Sequence, residues 1–180
     1  MNTRRKFLKA LGLAPVMISL AAQLQAATAT FTRVDLGNGL TLLQGAGTNV
    51  VVAESADGVV IVNGGSQDKA EALLAEIKKL TSNKPVKALF NTNWRPEHLG
   101  LNYLLGAAGT PIYAHENTRL WQSADFYVDW SDTQHKPMPK PAQANKSFYQ
   151  NGALKFGDET IEYGMVSQAN TDGDIYVRFT

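Results

Sequence analysis

A chain of 180 residues, 44% hydrophobic and 18% charged, suits one soluble globular domain with its own core, and excludes a disordered tail or a membrane bundle. Arg4, Arg5, Lys6 and Lys9 supply four of the 17 basic residues and the first 29 positions hold no acid, which leaves 13 basic against 16 acidic side chains, a net of −3, over residues 30–180. That balance offers no broad basic face to nucleic acid or anionic lipid, and the absence of cysteine rules out thiolate metal sites, disulfides and a cysteine nucleophile.

Residues 1–29 read as an address. A basic stretch with Arg4-Arg5 ahead of Phe7-Leu8-Lys9 precedes a modestly apolar run over 10–22, and Ala26-Ala27-Thr28-Ala29 supplies a small-residue end. This is the pattern of a cleavable signal peptide, and the paired arginines resemble a twin-arginine signal. The apolar run is too short to span a bilayer and Pro15 interrupts it, so no stable membrane insertion is expected after cleavage. The expected destination is the periplasm.

From Thr30 the chain alternates strand and helix patterns, an α/β arrangement in a single domain over 30–180. Residues 31–36 and 40–44 flank the turn Gly37-Asn38-Gly39, a hairpin signal, and 49–54 with 58–62 form a second hairpin across Ala56-Asp57-Gly58. The runs Val50-Val51-Val52 and Val59-Val60-Ile61-Val62 are continuously apolar, as in strands buried on both faces. Ser66 offers an N-cap, and Ala70, Leu73, Leu74, Ile77 and Leu80 fall on one helical stripe that should end near Ser82-Asn83, ahead of Pro85. A buried strand over 86–91, a loop over 91–100, a short helix near 102–105, a strand over 111–114 and a helix near 117–122 follow. Residues 125–146, polar and proline-rich, read as a long surface loop or cover that contains His135. Strands resume from Phe148 and include 161–166 and 175–179, the last one running out at Thr180.

One stretch carries chemistry: Asn91-Thr92-Asn93-Trp94-Arg95-Pro96-Glu97-His98-Leu99-Gly100-Leu101-Asn102, set between a buried strand and a helix. Upstream stands the turn Asn63-Gly64-Gly65, and downstream Ala169-Asn170-Thr171-Asp172-Gly173-Asp174. In order and spacing these pieces resemble the metallo-β-lactamase superfamily over about residues 32–179, with its Asp-x-Gly turn, its Thr-His-x-His-x-Asp-His loop, its Gly-x-Asn helix start and its later His-Thr-x-Gly-Asp segment. The resemblance implies a four-layer αββα sandwich. It implies further that this chain holds the first half of one, incomplete at its C-terminus through decay or as a fragment of a longer reading frame, with an open sheet face that a homodimer would cover.

The resemblance also places the metal. Its two loop histidines fall on Asn93 and Arg95, its later histidine on Asn170, its loop aspartate on Glu97 and its supporting aspartate on Asn63; only His98 stands unchanged. Catalytic zinc takes about three protein ligands and a water whose pKa drops to about 7. Asparagine is a feeble zinc ligand beside imidazole, and the guanidinium of Arg95 has no lone pair to give. Held about 4 Å from a dication at an effective dielectric near 20, it is opposed by about 8 kcal/mol. No cofactor is expected, zinc being present by ancestry only. Glu97 and His98 are the residual metal candidates and Glu97 the candidate base, against a plainer reading as a loop acid and a hydrogen-bonded histidine. Arg95 is a candidate anion site, against an ordinary salt bridge to Glu97 or a neighbouring acid.

Other features have similarly plain alternatives. Asp172 and Asp174 read as turn-forming and strand-anchoring, Gly64-Gly65-Ser66 as an anion-binding helix start or only a tight turn, and Trp121, Phe126, Tyr127 and Trp130 as core and cover packing or as the rim of a pocket. The leading expectation is an exported protein with a degenerate, inactive zinc-hydrolase site that binds a small molecule. The alternatives are a weakly active hydrolase of lactams, esters or thioesters, and an anion- or partner-binding, dimerising structural module.

Overall fold

A computed structural model describes residues 30–167 and 169–180, the side chain of Trp130 excepted. The address over 1–29 lies outside the described residues. The long sheet starts with two hairpins: β1 (Thr32–Gly37) with β2 (Leu40–Gln44), and β3 (Val50–Ser55) with β4 (Gly58–Val62). The first turns through Gly37, Asn38 and Gly39, all at positive φ, a conformation that glycine and asparagine tolerate. Next come α1 (Ala70–Leu80), β5 (Val86–Phe90), α2 (Asn102–Ala107), β6 (Ile112–His115) and α3 (Glu116–Ser123). Ser82 and Asn83, both left-handed, end α1 at the expected place.

Two expectations change at the helix starts and in the cover. A 3-10 turn (Gln67–Lys69) precedes α1, and the Ser66 hydroxyl makes no cap bond but donates to Ala46 O at 3.1 Å. The segment read as a loop over 125–146 is structured: β7 (Phe126–Val128) pairs with β8 (Thr133–His135), and β9 (Lys146–Phe148) joins the large sheet beside β6. His135 therefore lies on a strand. Cross-strand pairing, which no local pattern announces in three-residue strands, decided both.

The large sheet runs β1-β2-β3-β4-β5-β6-β9, antiparallel as far as β4 and parallel from β4 to β9. Its continuous apolar runs divide by alternation between two faces. Val50, Val52, Val59, Ile61 and Leu89 face α1, where Leu73 and Ile77 complete one core. Val60, Val62, Ala88 and Phe90 face the other way. There they meet a second sheet of this chain, β10 (Gly152–Phe156), β11 (Glu159–Met165) and β12 (Ile175–Phe179), through Phe156, Ile161 and Ile175.

The face expected to stand open is thus covered from within the chain. The second sheet turns Ala153, Lys155, Glu162, Tyr176 and Arg178 outward, with an ion pair between Arg178 and Glu162 at 3.6 Å. Layers of helix, sheet and sheet make up three parts of the expected α/β sandwich. Among the described residues no helix is long and apolar enough to cross a membrane.

Candidate functional site

Strands β4, β5 and β6 are parallel, so their C-terminal ends share one edge, the place where α/β sheets carry their binding loops. β4 runs into Asn63, which sits at φ +67° and accepts at Oδ1 from the Thr92 backbone N–H (3.0 Å) and the Thr92 hydroxyl (2.8 Å). The loop after β5 is thereby fastened to the loop after β4. Since the Thr92 proton goes to Asn63, the 3.3 Å contact between Thr92 Oγ1 and His98 Nδ1 makes the imidazole the donor. The neutral ring then keeps its Nε2 lone pair. Burial pushes the His98 pKa below its ordinary value; Glu97 and Asp174 oppose that shift and Arg95 reinforces it.

Backbone contacts lock the same two loops. Gly64 N–H donates to His98 O, Gly100 N–H to Gly65 O and Ser66 N–H to Ala46 O, each at 2.7 Å. A Cβ on Gly100 would stand 2.5 Å from Ser66 O, so only glycine permits this approach. With the Gly64 and Ser66 donors engaged, the turn reading of Gly64-Gly65-Ser66 replaces the anion-site reading.

The positions that the resemblance assigns to zinc histidines do converge. Asn93, 5% exposed, donates from Nδ2 to Asp174 Oδ1 and accepts at Oδ1 from Arg95 N–H, both at 3.0 Å. The Arg95 guanidinium donates to Asn170 Oδ1 at 3.1 Å, across 75 positions of sequence. Glu97, one of the acids expected to pair with Arg95, lines one hollow beside the network and shares a second with Arg95.

The aspartates of the later segment anchor it, as expected. Asp174 also accepts from Thr171 N–H, Ile175 N–H donates to Thr92 O at 2.9 Å, and both Asp172 oxygens accept from Trp121 Nε1 at 2.9 and 3.1 Å. Gly173 lets the segment reach α3, where a Cβ would meet Thr118 Oγ1 at 2.5 Å.

This set of side chains does not fit zinc. Asn93 has committed its carbonyl to a backbone N–H and its amide to a carboxylate, and a permanent cation is hydrogen-bonded where a third ligand would approach. Among the described residues no group of three or more His, Cys, Asp or Glu could hold a metal ion.

Beside the network lies a cavity of ≈ 370 Å³. Trp94, Trp121, Phe126 and His135 form one wall: the Trp121 and Phe126 centroids are 4.6 Å apart, Trp94 meets Phe126 edge-on at 5.3 Å, and His135 stacks on Phe126 at 4.6 Å. Part of the aromatic group read as packing therefore rims a pocket, whereas Tyr127 is exposed. A polar floor anchors the cover: Asn91 and Asn102 exchange side-chain hydrogen bonds at 2.8 and 2.9 Å, Gln122 Nε2 donates to Asn91 Oδ1 at 3.2 Å, and Gln122 Oε1 accepts from Ala144 N–H at 2.8 Å. Sequence reasoning missed Trp94, Tyr103, Gln122 and Met138 as site residues. Trp94, inside the loop already singled out from the sequence, was the signal available.

A helix layer packed on one sheet, with a second sheet facing it, matches part of the metallo-β-lactamase fold in solved structures. A subclass B3 metallo-β-lactamase from a soil metagenome library superposes with TM-score 0.66 at 16% identity, covering 82% of this chain and 56% of its own. The first B3 metallo-β-lactamase described with an active-site glutamic acid gives 0.68 at 16%, covering 91% and 61%. The Cronobacter sakazakii metallo-β-lactamase described by a HARLDQ motif gives 0.67 at 14%, covering 83% and 60%. The chain thus spans less than two thirds of each of these structures. No protein-family model and no curated protein matches the sequence.

Proposed function

We propose that this is an exported protein of the metallo-β-lactamase fold whose former metal position is filled by hydrogen-bonded side chains, and which binds a small molecule without hydrolysing it. One observation carries the reading: the imidazole positions hold Asn93, Arg95 and Asn170, and these bond to one another and to Asp174. Arginine alone would not decide the matter. Laid letter for letter over residues 93–98, the HARLDQ motif of the Cronobacter sakazakii metallo-β-lactamase also has arginine third. It has histidine first, however, where this chain has an amide that hydrogen-bonds Asp174 through its nitrogen and the Arg95 backbone through its oxygen.

The test is zinc per chain, measured by elemental analysis after purification with added zinc. The expected value is near zero, rising toward one in a variant with Asn93→His, Arg95→His and Asn170→His together. A ratio near one in the unaltered protein would overturn the proposal.

A second reading, weak hydrolysis, draws on His98, whose neutral ring offers Nε2, and on Glu97 as base; one of the similar structures is itself described by an active-site glutamic acid. Turnover of a lactam, ester or thioester that Glu97→Gln abolishes would favour it. Arg95 as an anion site is less well placed, because the hollow it lines (≈ 270 Å³) is shared with the Glu97 carboxylate.

A further inference from the structure

We infer that the ≈ 370 Å³ pocket takes an organic cation with a flat apolar body, an aryl-alkyl ammonium, whose charged head sits at Glu97 and whose ring packs on the Trp94–Trp121 wall. The inference deepens the ligand-binding reading and rests on it.

Charge selects the sign of the ligand. Glu97 lines the pocket half-buried, and among the described residues it has no hydrogen-bond or ion-pair partner. The one other formally charged lining residue, Lys136, is 71% exposed and held by Asp125 at 2.8 Å, so its charge is compensated at the rim. Arg95, which shares a neighbouring hollow with Glu97, directs its guanidinium to Asn170 Oδ1, so the half-buried Glu97 carboxylate favours a cation in the larger pocket and disfavours an anion.

The wall points the same way. Aromatic faces attract ammonium groups, tryptophan most strongly. The Trp121 N–H lies between both oxygens of Asp172, and a hydrogen bond to a carboxylate pushes electron density into the indole and deepens the negative potential of its face. Trp94 packs against Trp121, Phe126 and His135 with centroids 5.3 to 5.7 Å apart, so the surface is held in place before a ligand arrives. Leu99, Tyr103 and Met138 add apolar lining to the same pocket, which suits a flat hydrocarbon body.

Benzyltrimethylammonium, benzyl alcohol and phenylacetate offer a cation, a neutral molecule and an anion on the same ring. Titrated into the protein and followed by tryptophan fluorescence and calorimetry, they should bind in that order, the anion weakest. Glu97→Gln should weaken the cation about fivefold to tenfold and leave the alcohol unchanged, the effect of one partly screened charge. Glu97→Lys should reverse the preference toward phenylacetate, which a merely structural role would not do. Equal binding of the three probes, no saturable binding of the cation, or an unchanged cation affinity in Glu97→Gln would each overturn the inference. Zinc content measured on the same samples separates the two readings: zinc near one per chain sinks the non-metal reading, whereas zinc-free protein without cation preference sinks only this inference.

Discussion

His98 is the one histidine in the loop after β5, and its surroundings give it a measurable signature. Its Nδ1–H is turned to Thr92 and through it to Asn63, while burial holds its pKa below the ordinary value near 6.5. The unfolded chain takes up a proton near 6.5 and the folded one resists it, so unfolding gains protons in that window. The stability that depends on neutral His98 is therefore complete above about pH 6.5 and drains away as pH falls below it. Denaturant titrations at steps from pH 7.5 downward should show this loss, and His98→Gln should flatten it; an identical slope in the variant would contradict the assignment. His115, also held low by burial, acts in the same direction, so the slope should shrink rather than vanish. Asn63, Asn93, Arg95, Asn170 and His98 were legible as one site because their order along the chain matches a known frame. What each does was not legible. That Asn93 bonds Asp174, or that Arg95 reaches Asn170, depends on side-chain directions that spacing does not encode.

Among the elements, α1 and β12 follow from their own residues, α1 from its helical apolar stripe and β12 from its alternation, and β5 is apolar apart from Lys87. The cover over 125–146 does not: its strands are three residues long, and their order comes from pairing and from the Gln122 floor beneath them. The second sheet also resisted local reading. Its strands are recognisable, but nothing in 152–179 says that they return across the face of β3 to β5 rather than leave it open. Ile161, fully buried between the sheets, tests that packing. Ile161→Ala should cost about 2–5 kcal/mol of global stability, the usual range for removing a buried aliphatic side chain. Tryptophan fluorescence and far-ultraviolet dichroism should still report one coincident transition. Two separated transitions would mean that the three-stranded sheet is a separate folding unit.

For the molecule as a whole, the acidic balance over 30–180 and the basic, acid-free start are properties of composition, and export is the proposal that joins them. Arg4→Lys with Arg5→Lys keeps the charge but removes the guanidinium pair. The unprocessed protein should then stay in the cytoplasm on cell fractionation, and undiminished export would rule out the twin-arginine route. Residue chemistry along the chain settled by itself that thiol chemistry is absent, that strands and helices alternate, and that positions 93, 95 and 170 carry asparagine, arginine and asparagine. Tertiary structure alone decided that the substitutes hydrogen-bond to one another, that the second sheet closes the core, and that Trp94, Trp121 and Phe126 stand together around a hollow beside Glu97. The division has a physical cause. Periodicity and charge are sums over neighbours in sequence, whereas a site is a meeting of side chains some 30 to 80 positions apart, whose directions are set only when both faces of the sheet are packed.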